Sequence, residues 1–182
     1  MGTWAGASLM SDKFNIYINR ILSAEGGYTD DEKDPGNWTS GKIGVGELRG
    51  TKFGISAASY PNLDIKNLTR NQAIDIYRQN FWESCHADDL PDAVAYSALD
   101  GAVNSGCVRS IMWVQSAAGA ADDGRWGPHT ASAVAASDPN DLLLKYNAYR
   151  LKFMVKLKAW DTFSAGWANR IANNLLYGAE DN

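Results

Sequence analysis

Cysteine and histidine are scarce in this chain of 182 residues, which has two of each. Cys85 and Cys107 belong to no Cys-x-x-Cys motif and cannot build a disulfide framework. His86, beside Cys85, and His129 offer too little for a ligand set, so no metal and no cofactor are expected. No apolar stretch approaches the ~18 residues of a membrane span. The N-terminus lacks the basic start and apolar core of a signal peptide, so stable membrane insertion is not expected either. Repeats, linkers and low-complexity tracts are missing. Basic charge does not prevail: the net charge is −4, which argues against nucleic acid as a partner.

What remains is an ordinary globular mix, 45% apolar and 21% charged. The length suits one domain, or two small lobes sharing a core. Seven Trp and eight Tyr suit either a core or a carbohydrate-binding cleft. One local asymmetry stands out. From Lys145 to Trp160 the chain carries Lys145, Arg150, Lys152, Lys156 and Lys158 and no acid, a basic face. Lys145, Lys152 and Lys156 would form one exposed patch on a helix, either a solvated face or a docking surface for an anionic partner.

Glu25 is the most informative residue. Phe14, Tyr17, Ile18, Ile21 and Leu22 recur at spacings of three and four, one face of a helix over roughly 12–25. The next position on that face is Glu25, and Gly26-Gly27-Tyr28 stops the helix. A carboxyl there, half in the core and near a helix C-terminus, is pushed toward its protonated form. Such an acid can donate a proton near neutral pH. A solvent-facing Glu at a helix end fits the same pattern.

Ser11 is positioned to cap this first helix. The glycine-rich stretch from Thr29 to Gly54 predicts a small hairpin or meander, with β-prone pieces at Lys42–Val45 and Thr51–Ile55. Thr69 and Gln72 form a capping box for a helix through Ile74, Tyr77 and Phe81. Pro91 opens another helix that Gly106 ends, and a further one runs from about Arg109 to Ala118. The turn cluster Ala121–Pro128 feeds a short helix at Thr130–Ala136. Asp138-Pro139 opens a long helix with the stripe Leu142, Tyr146, Tyr149, Phe153, Leu157, Trp160. Asp161 or Thr162 caps the last helix. The expected fold class is α+β, mostly α, with one small β element and a helical lobe.

Asp34 follows Glu25 within a stiff Asp34-Pro35-Gly36 turn, and Thr51 opens Thr51-Lys52-Phe53-Gly54-Ile55. A helix-end carboxyl, a second carboxyl on the facing loop and a hydroxyl on the β element are the parts that cut a glycosidic bond. One carboxyl protonates the leaving oxygen; the other steers a water or stabilises the oxocarbenium-like centre. Asp34 as a plain turn former is the alternative. Tyr28, Trp38 and Tyr60 could stack on sugar rings or simply pack. Asn104 could donate to an acetamido group or cap the following helix.

Glu25-Gly26-Gly27-Tyr28, Asp34-Pro35-Gly36 and Thr51-x-x-Gly54-Ile55 resemble glycoside hydrolase family 108, the N-acetylmuramidase endolysins of phages and prophages. The resemblance continues in Asp100-Gly101-Ala102-Val103-Asn104-Ser105-Gly106, Asp123–Thr130 and Gly166-Trp167-Ala168-Asn169-Arg170. These later pieces look like the peptidoglycan-binding region that follows the catalytic half. A longer insertion before Thr51 departs from the family pattern. The resemblance implies a lysozyme-like fold: 1–10 a leader or disordered tail, 11–88 a catalytic lobe, and 89–178 a helical peptidoglycan-binding lobe packed on it as one compact unit. It implies hydrolysis of the β-1,4 bond between N-acetylmuramic acid and N-acetylglucosamine, with Glu25 as general acid and Asp34 and Thr51 as its partners. The implied partner is the glycan strand, met by a monomer made in the host cytoplasm and released to the wall through a holin. A lytic transglycosylase and a non-hydrolytic wall-binding module are the rival readings.

Overall fold

The computed structural model describes residues 6–24 and 27–182. Its architecture is α+β and mostly α, as predicted: seven α-helices and one two-stranded antiparallel sheet among the described residues. Two compact units divide the chain, Met1–Arg78 and Gln79–Asn182.

The first unit begins with α1 (Gly6–Ala24), which buries the predicted stripe Phe14, Tyr17, Ile18, Ile21 and Leu22. It starts earlier than expected, so Ser11 lies inside it rather than capping it. Residues 6–10, read as tail, form its opening turns; no proline intervenes and Ala7, Leu9 and Met10 favour helix. Residues 1–5 lie outside the described residues. The predicted strand at Lys42–Val45 is also corrected. Gly41, Gly44 and Gly46 take φ of 71°, 75° and 81°, which breaks any extended run, and Ile43 and Val45 are exposed.

The strands are β1 (Thr51–Lys52) and β2 (Ile55–Ser56), paired Thr51 with Ser56 and Lys52 with Ile55. Phe53 and Gly54 between them both have positive φ, 53° and 74°, as a two-residue hairpin turn demands. The Tyr77 hydroxyl donates to the Phe53 carbonyl at 2.9 Å and anchors the turn to α2 (Arg70–Tyr77). The Thr69–Gln72 capping box opens α2 as expected. Arg70 bonds Asn19, and Arg78 lies 4.0 Å over the Phe14 ring, so both ends of α2 are tied to α1.

The second unit is built around α3 (Asp92–Ser105), in which ten consecutive residues, Ala93 to Ala102, are buried. A helix buried on every side is surrounded by others, here α4 (Cys107–Ala118), α6 (Pro139–Met154) and α7 (Trp160–Glu180). Small residues let them close in: Gly101 meets the Tyr146 hydroxyl, and a Cβ on Gly178 would stand 2.6 Å from the Ala93 carbonyl. Ser110 donates to the Ala98 carbonyl at 2.8 Å and pairs with the Tyr146 hydroxyl at 2.9 Å. Buried Gln115 joins α4 to the 121–128 turn, accepting from Gly124 N at 2.8 Å and donating to Asp123 and to Thr130 of α5 (Pro128–Ala135).

The long helix expected through Trp160 ends at Met154. Tight turns follow, with Leu157 N donating to the Met154 carbonyl and Trp160 N to the Leu157 carbonyl. Nothing in the local sequence breaks the helix. The contacts that α7 gains on α3 and α6 do so, and they override propensity. Asp161 and Thr162 therefore fall within the first turn of α7, whose N-cap is Ala159. The basic face changes with it. Arg150 is 1% exposed, Lys145 pairs with Asp141 at 3.2 Å, and Lys156 lies beyond the end of α6.

Candidate active site

Asp34 caps a single helical turn, Pro35–Asn37. Pro35 supplies the fixed φ of a helical first position, and Asp34 Oδ1 accepts from Gly36 N at 2.8 Å. The turn-forming reading of Asp34 is thus real. It occupies only one oxygen, because Oδ2 has no partner among the described residues. The carboxylate is exposed, so one residue can hold the turn and face a substrate.

The turn delivers Asn37 into the interior at 0% exposure. Its Nδ2 donates to the Asp31 carbonyl at 3.0 Å, which fixes the amide so that Oδ1 accepts from Thr51 Oγ1 at 2.7 Å. Its backbone carbonyl accepts from Arg49 N and Gly50 N at 2.9 and 3.0 Å. Thr29 and Thr51 exchange backbone bonds of 2.9 and 2.8 Å, and Ala58 N reaches the Gly36 carbonyl at 3.0 Å. Asn37 therefore joins the Asp34 turn to the strand that carries Thr51. Because the Thr51 proton is committed inward, its outward-facing capacity is that of an acceptor.

The predicted aromatic residues are fixed around this frame. Trp38 is half-buried; its indole Nε1 donates to the Glu32 carbonyl at 2.9 Å, and its backbone bridges to Leu48. Tyr28 is half-buried and lies against Gly50, where an added Cβ would meet its ring at 2.6 Å. Gly50 has φ of 80°, so this backbone approach needs glycine twice over. Burial, and then the Asp30 carboxylate with its hydrogen bond, raises the Tyr28 phenol above its ordinary value. Tyr28 also lines a cavity of about 410 Å³ with Leu48, Arg49, Asp64, Ile65 and Lys66. Bonds from the Asn67 side chain and backbone lower the Asp64 carboxyl. Tyr60 is half-buried beside β2, its amide donating to the Ser56 carbonyl at 3.0 Å. Glu25 lies outside the described residues.

Asn104 belongs to the second unit and does not cap the next helix. Gly106, with φ of 83°, takes that position without a side-chain bond. The Asn104 amide turns back instead and donates to the Asp100 carbonyl at 2.7 Å and to Asp100 Oδ1 at 3.3 Å. Reading from sequence missed the cluster this belongs to. Buried Asp100 accepts from Arg150 Nη1 at 2.7 Å and Asn174 Nδ2 at 3.0 Å on one oxygen, and from Arg170 Nη1 at 3.4 Å on the other. The signal was present in the phase of α6, where Arg150 falls four residues beyond Tyr146 and eight beyond Leu142, both fully buried. Asn37 was missed as well. A buried amide with a partner fourteen residues away leaves no local pattern.

A family model described as Glycosyl hydrolase 108 matches residues 18–106, and one described as Predicted Peptidoglycan domain matches residues 109–172. The solved structure of SagA from Brucella abortus is similar throughout. It is 30% identical with a TM-score of 0.79, over 94% of this chain and 96% of that one. No curated protein matches the chain.

Proposed function

Because the chain belongs to the glycosyl hydrolase 108 family and continues into a predicted peptidoglycan domain, and so is a peptidoglycan-degrading glycoside hydrolase, we propose that it is a lysozyme-type N-acetylmuramidase. It cuts the β-1,4 bond between N-acetylmuramic acid and N-acetylglucosamine, and Glu25 is the general acid. Glu25 gives its proton to the departing glycosidic oxygen. The free oxygen of Asp34 stabilises the positive charge that develops at the anomeric carbon, or takes the proton of the attacking water. Thr51 accepts a hydrogen bond from that water and helps set its direction. The observation that carries this reading is the Asn37 bridge, which holds a one-sided hydroxyl and a half-free carboxylate on one rigid frame. Preorganised polar groups of this kind act where charge develops.

Mass spectrometry of fragments released from purified sacculi tests the reading. Hydrolysis yields reducing N-acetylmuramic acid ends. Predominant 1,6-anhydro ends would make the protein a lytic transglycosylase, and no release would make it a binding module. The proposal extends to biological setting: an endolysin of phage origin that acts on the wall after holin-type release from the host cytoplasm. Expression in a Gram-negative host should then give lysis only after the inner membrane is permeabilised.

A further inference from the structure

Arg150 Nε is buried without a hydrogen-bond partner among the described residues, and Asn174 Oδ1 is in the same state. Both side chains meet at Asp100, whose oxygens are already filled by Arg150, Asn174, Asn104 and Arg170. One carboxylate thus faces two guanidinium groups, a local excess of one positive charge. Arg170 is the loosely held member. Its contact with Asp100 is 3.4 Å long and its side chain is 37% exposed, so most of its donors are uncommitted.

A small cavity of about 120 Å³ opens beside this cluster. Asn104, Arg150 and Arg170 give it a polar wall, and Met154, Leu157 and Trp167 an apolar one. Two sequence motifs that the cleavage reaction leaves unused, Asp100–Gly106 and Gly166–Arg170, meet here. The Trp167 ring stacks on Phe163 at 6.0 Å and lies 6.1 Å from Trp160, so the apolar wall is itself braced. Asn104 spends its amide hydrogens on Asp100 and keeps Oδ1, an acceptor suited to a peptide N–H.

We propose that this cavity is a subsite for the C-terminal carboxylate of a peptidoglycan stem peptide ending in D-alanine. The guanidinium of Arg170 takes the carboxylate, which planar paired donors match. The methyl group meets the Met154–Leu157–Trp167 wall, and Asn104 Oδ1 receives the peptide N–H. The volume of about 120 Å³ suits one small residue. This inference rests on the peptidoglycan reading and names the part of the polymer that the second unit grips.

The test is calorimetric titration of the full chain with N-acetyl-D-alanyl-D-alanine and with its C-terminal amide, while the same preparation is assayed for reducing-end release from sacculi. The acid should bind at least about tenfold more tightly than the amide, as loss of a charge-assisted pair demands. Arg170→Gln, on a half-exposed side chain, should lower acid affinity by a similar factor and leave amide affinity unchanged. Equal binding of acid and amide by the wild type, or no binding of either, overturns the subsite whatever the variant does. Wild type that cleaves sacculi without binding the acid refutes only the subsite. Wild type that binds the acid in preference to the amide but releases no reducing ends upholds the subsite and refutes the hydrolytic reading.

Discussion

The Thr51 hydroxyl donates to Asn37 Oδ1 at 2.7 Å, and Asn37 is wholly buried between the Asp34 turn and the strand. Thr51→Val keeps the shape of the side chain but leaves Asn37 Oδ1 unpaired. Such a loss should cost about 1–3 kcal/mol in a urea melt, whereas Thr51→Ser should stay near wild type. Activity should follow the same order. If Thr51→Val were as stable and as active as wild type, the bridge would have no part in holding the site.

Asp34→Asn separates two roles that the structure assigns to one side chain. Asparagine caps a helix about as well as aspartate, so the Gly36 bond and the fold should persist. Turnover should nevertheless fall while substrate affinity holds, because a charge that stabilises a developing cation acts in the transition state. Unchanged kcat would leave Asp34 as a turn former alone.

The Arg150–Asp100 pair is the polar centre of the second unit, with side chains 1% and 8% exposed. Arg150→Met should cost up to roughly 3–5 kcal/mol, since it removes the close charged partner of a buried carboxylate and leaves the 3.4 Å contact with Arg170 as its ion pair. A loss below about 1 kcal/mol in chemical denaturation would mean that the helices are held by apolar packing and the charges are incidental.

Burial pushes the thiols of Cys85 and Cys107 above their ordinary value. Both are free. In the native state little thiolate forms, so a disulfide reagent at about pH 8 should label the folded protein slowly and the unfolded protein fast. The linkage has a definite sign. A raised folded pKa gives stability that is complete below the unfolded value and is lost as pH rises through the folded one. Stability should therefore decline above about pH 8.5. Cys85→Ala should flatten that decline; an identical slope would place its cause elsewhere.

Much of this was legible in the sequence, and the failures have one physical character. The α1 stripe, the Thr69–Gln72 box, the glycine stops at 106 and 119 and the Asp138 cap are local signals, and they are found where expected. The end of α6, the burial of Arg150 and the Asn37 bridge depend on partners distant in sequence. The β-branched residues of Lys42–Val45 favour a strand, yet Gly41, Gly44 and Gly46 decide the backbone. Of the candidate site, Asp34 and Thr51 are joined through Asn37, Tyr28 and Trp38 are fixed on the same unit, and Asn104 serves the Asp100 cluster of the other.

The central claim is that Glu25 supplies the proton that breaks the glycosidic bond. Reducing-end release from purified peptidoglycan by wild type and Glu25→Gln, with folding checked by thermal melting, tests it most directly. The amide keeps the shape and cannot donate the proton, so the rate should fall by roughly 100- to 10,000-fold at unchanged stability; a rate within about threefold of wild type would contradict the account.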